Sequence, residues 1–244
     1  MRTGGFSTKV LLHRLMETFQ WLLQVTHDLA SIQPGGEGHA STIRVRLLHA
    51  SVRQRIMKLA KTRPEYFDVE KFGVPVNTLD SIHSITTFSC NPMWLQLHKM
   101  GVNVRQQEID DYIALFRYIG YLLATPTEYF ETSARAKAVM ESMYLHELEI
   151  TPTSRIVGFN FVKCLEDLPP MNISKEFIEA GSRWFNGNQL CDALDLGKPG
   201  WFHYCCMMGL NAIVIILAFL QRLFPSFDRV MTEVCKYPSS IDVC

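Results

Sequence analysis

Apolar residues in this chain recur at intervals of three and four, and nowhere in the 244 residues does a sustained two-residue alternation appear. That periodicity suits helices and gives a sheet nothing to bury. Proline and glycine punctuate it at short intervals, so the chain reads as helices joined by short loops. The predicted helices cover about 7–30, 40–62, 78–88 and a short segment from Pro92 to Gly101. They continue over 104–124, 127–149, 152–166, 174–186, 200–223 and 225–235. Ser7, Ser41, Asn77 and Asn103 stand where N-caps belong. Without internal repeat, linker or break in composition, the expectation is a single all-α bundle of about nine to ten helices.

Composition narrows the function. Apolar residues make up 48% and charged residues 20%, ample for a buried core and unlike a disordered chain. Lys and Arg (24) balance Asp and Glu (24), so the basic excess of a nucleic-acid binder is missing and no nucleic-acid partner is expected. A net charge of zero points instead toward membrane contact or self-association. The seven cysteines are an odd number without CxxC or zinc-finger spacing, and read as free thiols in a reducing compartment. GxxxxGK[ST], GxGxxG, GxSxG and HExxH do not occur. The first ten residues, MRTGGFSTKV, lack the apolar stretch of a secretory signal.

Residues 204–220, YCCMMGLNAIVIILAFL, form a run without charge whose one polar amide is Asn211. As a helix it is roughly 25 Å long, just short of a bilayer core of about 30 Å. Trp201, His203 and Arg222 flank it as interface anchors would. Pattern alone leaves two readings open, a central core helix and a membrane segment. Membrane embedding predicts a broad exposed apolar face with Asn211 turned toward protein; a core position predicts general burial. The segment YIALFRYIGYLLA is apolar nearly all round and should be buried, and Arg117 within it argues for a protein interior.

Two polar clusters interrupt this apolar background. In STIRVRLLHASVRQRI, positions 42, 46, 49, 53 and 56 share one helix face, which presents Arg46, His49 and Arg53 together. Three cationizable groups on one face repel unless something anionic or metallic sits among them. His49 is expected as a neutral imidazole in a largely buried pocket, where it offers one nitrogen to a metal, and guanidiniums clamp carboxylates bidentately. A haem has both parts, an iron and two propionates. Spacing alone also fits an ordinary polar face. In LLHRLMETFQWLLQVTHD, Arg14, Glu17, Thr18 and Trp21 share a face; its plainest account is a polar stripe with an Arg14–Glu17 pair.

Taken together, RLMET, PGGEGHASTIRVRLLHASVR, YFDVEKFGVPVNTLDSIHSI and LFRYIGYLLATP resemble the rubber oxygenase catalytic-domain family. That family includes the bacterial latex-clearing proteins and the fungal endoplasmic-reticulum-bound oxygenases that cut the prenyl side chain in mycophenolic acid biosynthesis. The fungal branch is the more similar. The resemblance covers about residues 4–187, and RVRLLHASVR is its most specific block.

The resemblance implies a globin-like helical catalytic domain over 1–187 holding haem b, with apolar helices over 188–244 packed on it and a membrane segment at 204–220. It implies His49 as the iron's axial ligand and Arg46 and Arg53 as cofactor-binding arginines. It implies dioxygen insertion at a carbon–carbon double bond of a lipophilic isoprenoid-like substrate, at the endoplasmic reticulum membrane or, alternatively, in the cytoplasm. On the distal side the rubber oxygenases carry an R-x-x-K-T pattern. Arg14 and Thr18 match it, and Glu17 stands in place of the Lys. The family's catalytic Glu lies upstream of this stretch, where this chain has no counterpart; the expectation is a shortened N-terminus with exposed apolar side chains near Leu11, Leu15, Leu22 or Leu23. Glu17 is the substitute base on offer. The competing reading is a catalytically inactive or metal-free helical, membrane-associated lipid-binding protein.

Overall fold

The computed structural model describes residues 7–236, and every regular element among them is helical. The α-helices are α1 (Thr8–Val25), α2 (Leu29–Ile32), α3 (Glu37–Thr62), α4 (Val69–Phe72), α5 (Thr78–Asn91), α6 (Leu97–Lys99) and α7 (Gln106–Leu122). They continue with α8 (Ser133–His146), α9 (Pro152–Leu165), α10 (Lys175–Asn186), α11 (Asn188–Ala193), α12 (Trp201–Leu223) and α13 (Pro225–Lys236). Among the described residues nine of these have twelve or more residues, in line with the expected bundle.

Several boundaries differ from the pattern reading, each for a local reason. The first helix stops at Val25 because Asp28 turns extended and caps α2, its carboxylate accepting from Ser31 N at 2.7 Å. The second starts at Glu37, one turn before Ser41, whose hydroxyl instead donates to the Gly38 carbonyl. Gly38 makes that early start fit. A Cβ there would lie 2.8 Å from the Gln24 carbonyl oxygen and 3.0 Å from Val25 Cα, so only glycine allows this approach. Arg105, not Asn103, caps α7, in a box with Glu108. The sixth predicted helix splits into a 3-10 turn (Glu128–Phe130) and α8, because Thr132 is extended and caps the latter. Pro92 opens a π-helical turn (Pro92–Gln96) leading into α6.

The described chain divides into two compact units. One comprises residues 20–94 and 104–147. Its core is α5 packed on α7 and α8, with Ile85, Ile113, Phe116 and Ile119 almost fully enclosed. Of the segment YIALFRYIGYLLA, Ile113, Phe116, Ile119, Gly120 and Leu122 are buried as expected, while Ala114, Tyr121 (66%) and Ala124 are exposed. Cys90 is fully enclosed there and donates to the Ala136 carbonyl; burial pushes its thiol up to about 11. The C-terminal part of α1 joins α3 in this unit through Trp21, whose indole N–H donates to the Thr42 hydroxyl at 3.0 Å. Thr42 donates its own proton to the Gly38 carbonyl, and Phe88 meets the Trp21 ring edge-on at 5.6 Å. We expect Thr42→Val to cost about 1–3 kcal/mol, because it leaves the buried indole N–H without an acceptor. Urea denaturation measures it, and an unchanged midpoint would show that the bond contributes nothing.

Among the described residues the other unit comprises 7–19, 95–103 and 148–236. In it α10 packs against α9, α11 and α12, and α13 folds back on α12. Arg183 is 3% exposed at its side chain and collects four acceptors: the carbonyls of Gly197 and Leu196, Asn188 Oδ1 and Asp192 Oδ1. Glu179, one turn earlier, accepts from Gly197 N at 2.9 Å. Together they strap the loop after α11 onto α10. Of the cysteines, Cys164 and Cys191 are buried free thiols in this unit and Cys205 is exposed, while Cys244 lies outside the described residues.

The C-terminal apolar run is not a core helix. α12 exposes Trp201, Phe202, Ile213, Ile216 and Phe219 at 56–78%, and only Met207 and Asn211 are buried. Among the described residues it is the one helix long and apolar enough to cross a membrane. It leaves a broad apolar face exposed, with Asn211 turned inward.

Candidate functional site

Arg46, His49 and Arg53 follow one another along α3 at intervals of three and four, so they project from one face of an unbroken helix. Both guanidiniums are engaged with backbone of the same unit. Arg46 donates from Nη1 to the Leu122 carbonyl at 3.2 Å, at the C-terminal end of α7, where the helix dipole favours a cation. Arg53 donates from Nε and Nη2 to the Val76 carbonyl, at 3.1 and 2.5 Å. Val76 needs such a hold. It is β-branched and sits at φ 52°, a region costly for that side-chain type. The fork of Arg53 therefore fixes a strained turn between α4 and α5.

The burial expected for His49 is not found. The imidazole is exposed, and so are Leu47 (64%), Leu48 (55%) and Val52 (38%) around it. The physical reason is the packing of α3. The helix is buried at Gly38, Thr42 and Ala60, toward its two ends, and its middle forms part of the surface. His49 thus sits in an apolar surround of exposed leucine and valine. A cationic side chain stands about one turn away on each side. Beside Arg46 an open depression of about 680 Å³ is lined by Tyr121, Thr125 and Thr127 among others. Thr125 Oγ1 in its wall is buried without a partner among the described residues.

Arg14, Glu17 and Thr18 belong to the other unit, on the N-terminal part of α1. The Thr18 hydroxyl donates to the Arg14 carbonyl at 2.8 Å, so its single proton is committed to its own helix. Glu17 lies 3.4 Å from His13 Nε2, both exposed, so the carboxylate has a histidine one turn earlier as a partner. Of the leucines expected at an exposed patch, Leu11 is 3% exposed and Leu23 40%; Met16 (36%) and Phe19 (51%) extend the exposed strip. Val10, on the other side of the helix, is 42% exposed.

The pattern reading grouped Trp21 with the α1 stripe and Thr42 with the α3 stripe, and missed that each is the other's partner. The bond between them pins the C-terminal end of the first stripe to the N-terminal end of the second. It also missed Val76, whose carbonyl carries no mark in a sequence. Leu47, Leu48 and Val52 were visible as apolar neighbours of His49, but their exposure was not.

Compared with known proteins, the chain finds no match among curated proteins or solved structures. A family model described as ER-bound oxygenase mpaB/B'/rubber oxygenase, catalytic domain, matches residues 2–210. That span holds both polar stripes, all of α1 through α11, and the first half of α12, well past the point where the resemblance read from the motifs ends. The chain therefore belongs to the ER-bound and rubber oxygenase catalytic-domain family, a family of all-α oxidoreductases in this member's fold.

Proposed function

We propose that this chain is a haem b-dependent oxygenase that cleaves a carbon–carbon double bond of a lipophilic, isoprenoid-like molecule at the endoplasmic reticulum membrane. Membership of an oxygenase family supports the reaction class, with dioxygen and a small-molecule substrate as reactants. The observation that carries the cofactor assignment is the donor set on α3: one exposed imidazole in an apolar surround, between two arginines.

The donor chemistry fits a haem. A porphyrin brings four nitrogens of its own, so a single histidine completes the protein's share of the ligation. The apolar flank of Leu48 and Val52 suits a macrocycle face, and Arg46 and Arg53 suit propionates. Arg46 spends one N–H of its five on the Leu122 carbonyl in the bonds described, which leaves donors to offer a carboxylate. His49 would hold the iron, and the haem when bound would supply a site where dioxygen is activated.

The α1 residues, in the other unit, bring chemistry of their own. Arg14 brings permanent N–H donors and a positive charge. Glu17 brings the carboxylate that can accept a proton, beside His13. Thr18 gives its proton to the helix and so offers an acceptor oxygen only. The exposed Met16, Phe19 and Leu23 on the same helix suit an apolar substrate.

A haem titration of the full chain tests this reading. We expect a saturable Soret band at one haem per chain, followed by dioxygen consumption with a polyprenyl substrate. A well-folded chain that stays colourless through the titration would remove the haem reading and favour the lipid-binding alternative, to which the exposed apolar face of α12 would then belong.

A further inference from the structure

We propose that α12 binds one leaflet of a bilayer lying in the plane of the interface, half-embedded by its outer face, and does not cross the membrane. This deepens the membrane-associated reading above and rests on it. Length and composition alone would let α12 span. Its surroundings argue otherwise.

Met207 and Asn211 are the buried residues of α12, and half-buried ones spread around them, from Leu220 and Cys206 on one side to Tyr204 on the other. At 100° per residue this covered side takes roughly 200° of arc. The exposed apolar residues Ile215, Met208, Phe219, Ile216 and Ile213 sweep the remaining roughly 160°. A second copy of the helix would cover a narrow seam of a and d positions and leave most of that arc in water. A lipid leaflet covers all of it. No charged residue interrupts the helix from Trp201 to Gln221.

The covered side is what forbids a crossing. α10 lies against the first half, with Met207 Sδ 3.6 Å from where a Gly181 Cβ would be. α10 carries Lys175, Glu176, Glu179 and Arg183. Against the second half lies Gly101, at φ +81°, facing Ile215; then comes Asn103, whose carbonyl accepts from Arg222. Residues 101–105 form no helix. A crossing would carry this irregular backbone and the charges of α10 to hydrocarbon depth, where irregular backbone survives only when enclosed in protein or facing a water-filled cavity. α13 makes the same point. Its twelve residues reach roughly 18 Å, too short to cross. It packs on α12, exposes Val230 and Val234 on one side, and carries Asp228, Arg229 and Glu233 on the other. That is the pattern of a helix lying at an interface. Placed in the plane, α12 and α13 both turn apolar sides to lipid while α10 and residues 97–103 stay in water.

The test uses the full chain with phosphatidylcholine vesicles. The chain should float with the vesicles. Ile213→Glu, Ile216→Glu and Phe219→Glu combined should weaken binding by roughly tenfold or more, because three large apolar side chains lose their lipid contact. Far-UV circular dichroism should be unchanged, since all three are exposed, and so should haem uptake. Depth separates lying from crossing. Ile216→Trp places a reporter near the helix midpoint, read as the difference from the parent chain. Lipids brominated near the headgroup should quench it more than lipids brominated near the chain end. Stronger quenching from the chain end means a crossing helix and overturns the proposal. A parent chain that does not float, or that buries α12 in a dimer in place of lipid, overturns it together with the membrane reading. Haem titration in the same samples reports on the oxygenase reading independently.

Discussion

His49→Ala should abolish the Soret band of the haem-titrated chain, or weaken haem binding by at least about a hundredfold. The size follows from the ligand count: with one protein ligand to iron, removing it leaves only contacts to the macrocycle and its carboxylates. The exposure of His49 makes the result interpretable. Truncating an exposed helical side chain costs at most about 1 kcal/mol, so the variant should melt close to the parent, and a lost band reports lost ligation. Arg46→Ala and Arg53→Ala should each weaken haem binding by about tenfold, with the band retained. They should differ in stability. Arg53 holds the Val76 turn with two donors, Arg46 the α7 terminus with one, so Arg53→Ala should melt lower. An unchanged Soret band in His49→Ala would move the cofactor away from this face of α3.

The second large effect is structural. Arg183→Ala should destabilise the chain by about 3 kcal/mol, because it strips donors from two carbonyls, an amide and a carboxylate at once. The lower end of the range for buried pairs applies, since Asp192 is itself 45% exposed. In a chain of this size that lowers Tm by about 6–12 °C. A pH signature accompanies it. The hydrogen bond from Arg183, helped by the charges of Lys198 and Arg183, holds the Asp192 carboxyl below its ordinary 3.8. The folded state then binds that proton less tightly than the unfolded state. The contribution is therefore complete above the unfolded pKa, near pH 4, and is lost as pH falls through the lowered value. Arg183→Ala should lose this part of the acid sensitivity. Differential scanning calorimetry across pH 3–7 measures both effects, and a parent-like Tm in the variant would show the network to be dispensable.

Neither network could be weighed from the sequence. Glu179 and Arg183 stand one turn apart on α10 like any exposed ion pair. Only the return of Gly197 beneath them, at a distance where a Cβ would lie 2.3 Å from Glu179 Oε2, turns the pair into a buried strap. In the same way Arg53 was legible as one of three cations on a face. The strained carbonyl that it holds belongs to a loop 23 residues away.

What the sequence determined by itself is what short-range physics dictates. Three- and four-residue periodicity made the chain all-α, proline and glycine broke it into helices near the right places, and i, i+3, i+4 spacing put Arg46, His49 and Arg53 on one face of α3. The motif RVRLLHASVR and its companions were enough to place the chain in its family, because a family match needs residues and not coordinates. Tertiary structure decided burial. Periodicity says which residues share a face but not what covers it. His49, expected inside, stands exposed because α3 is buried toward its ends and not in its middle. The run at 204–220 was balanced between core and membrane on composition, since both solvents reward the same side chains. Contacts ruled out a central core position: α12 leaves a broad apolar face exposed, and Asn211 lies on its covered side.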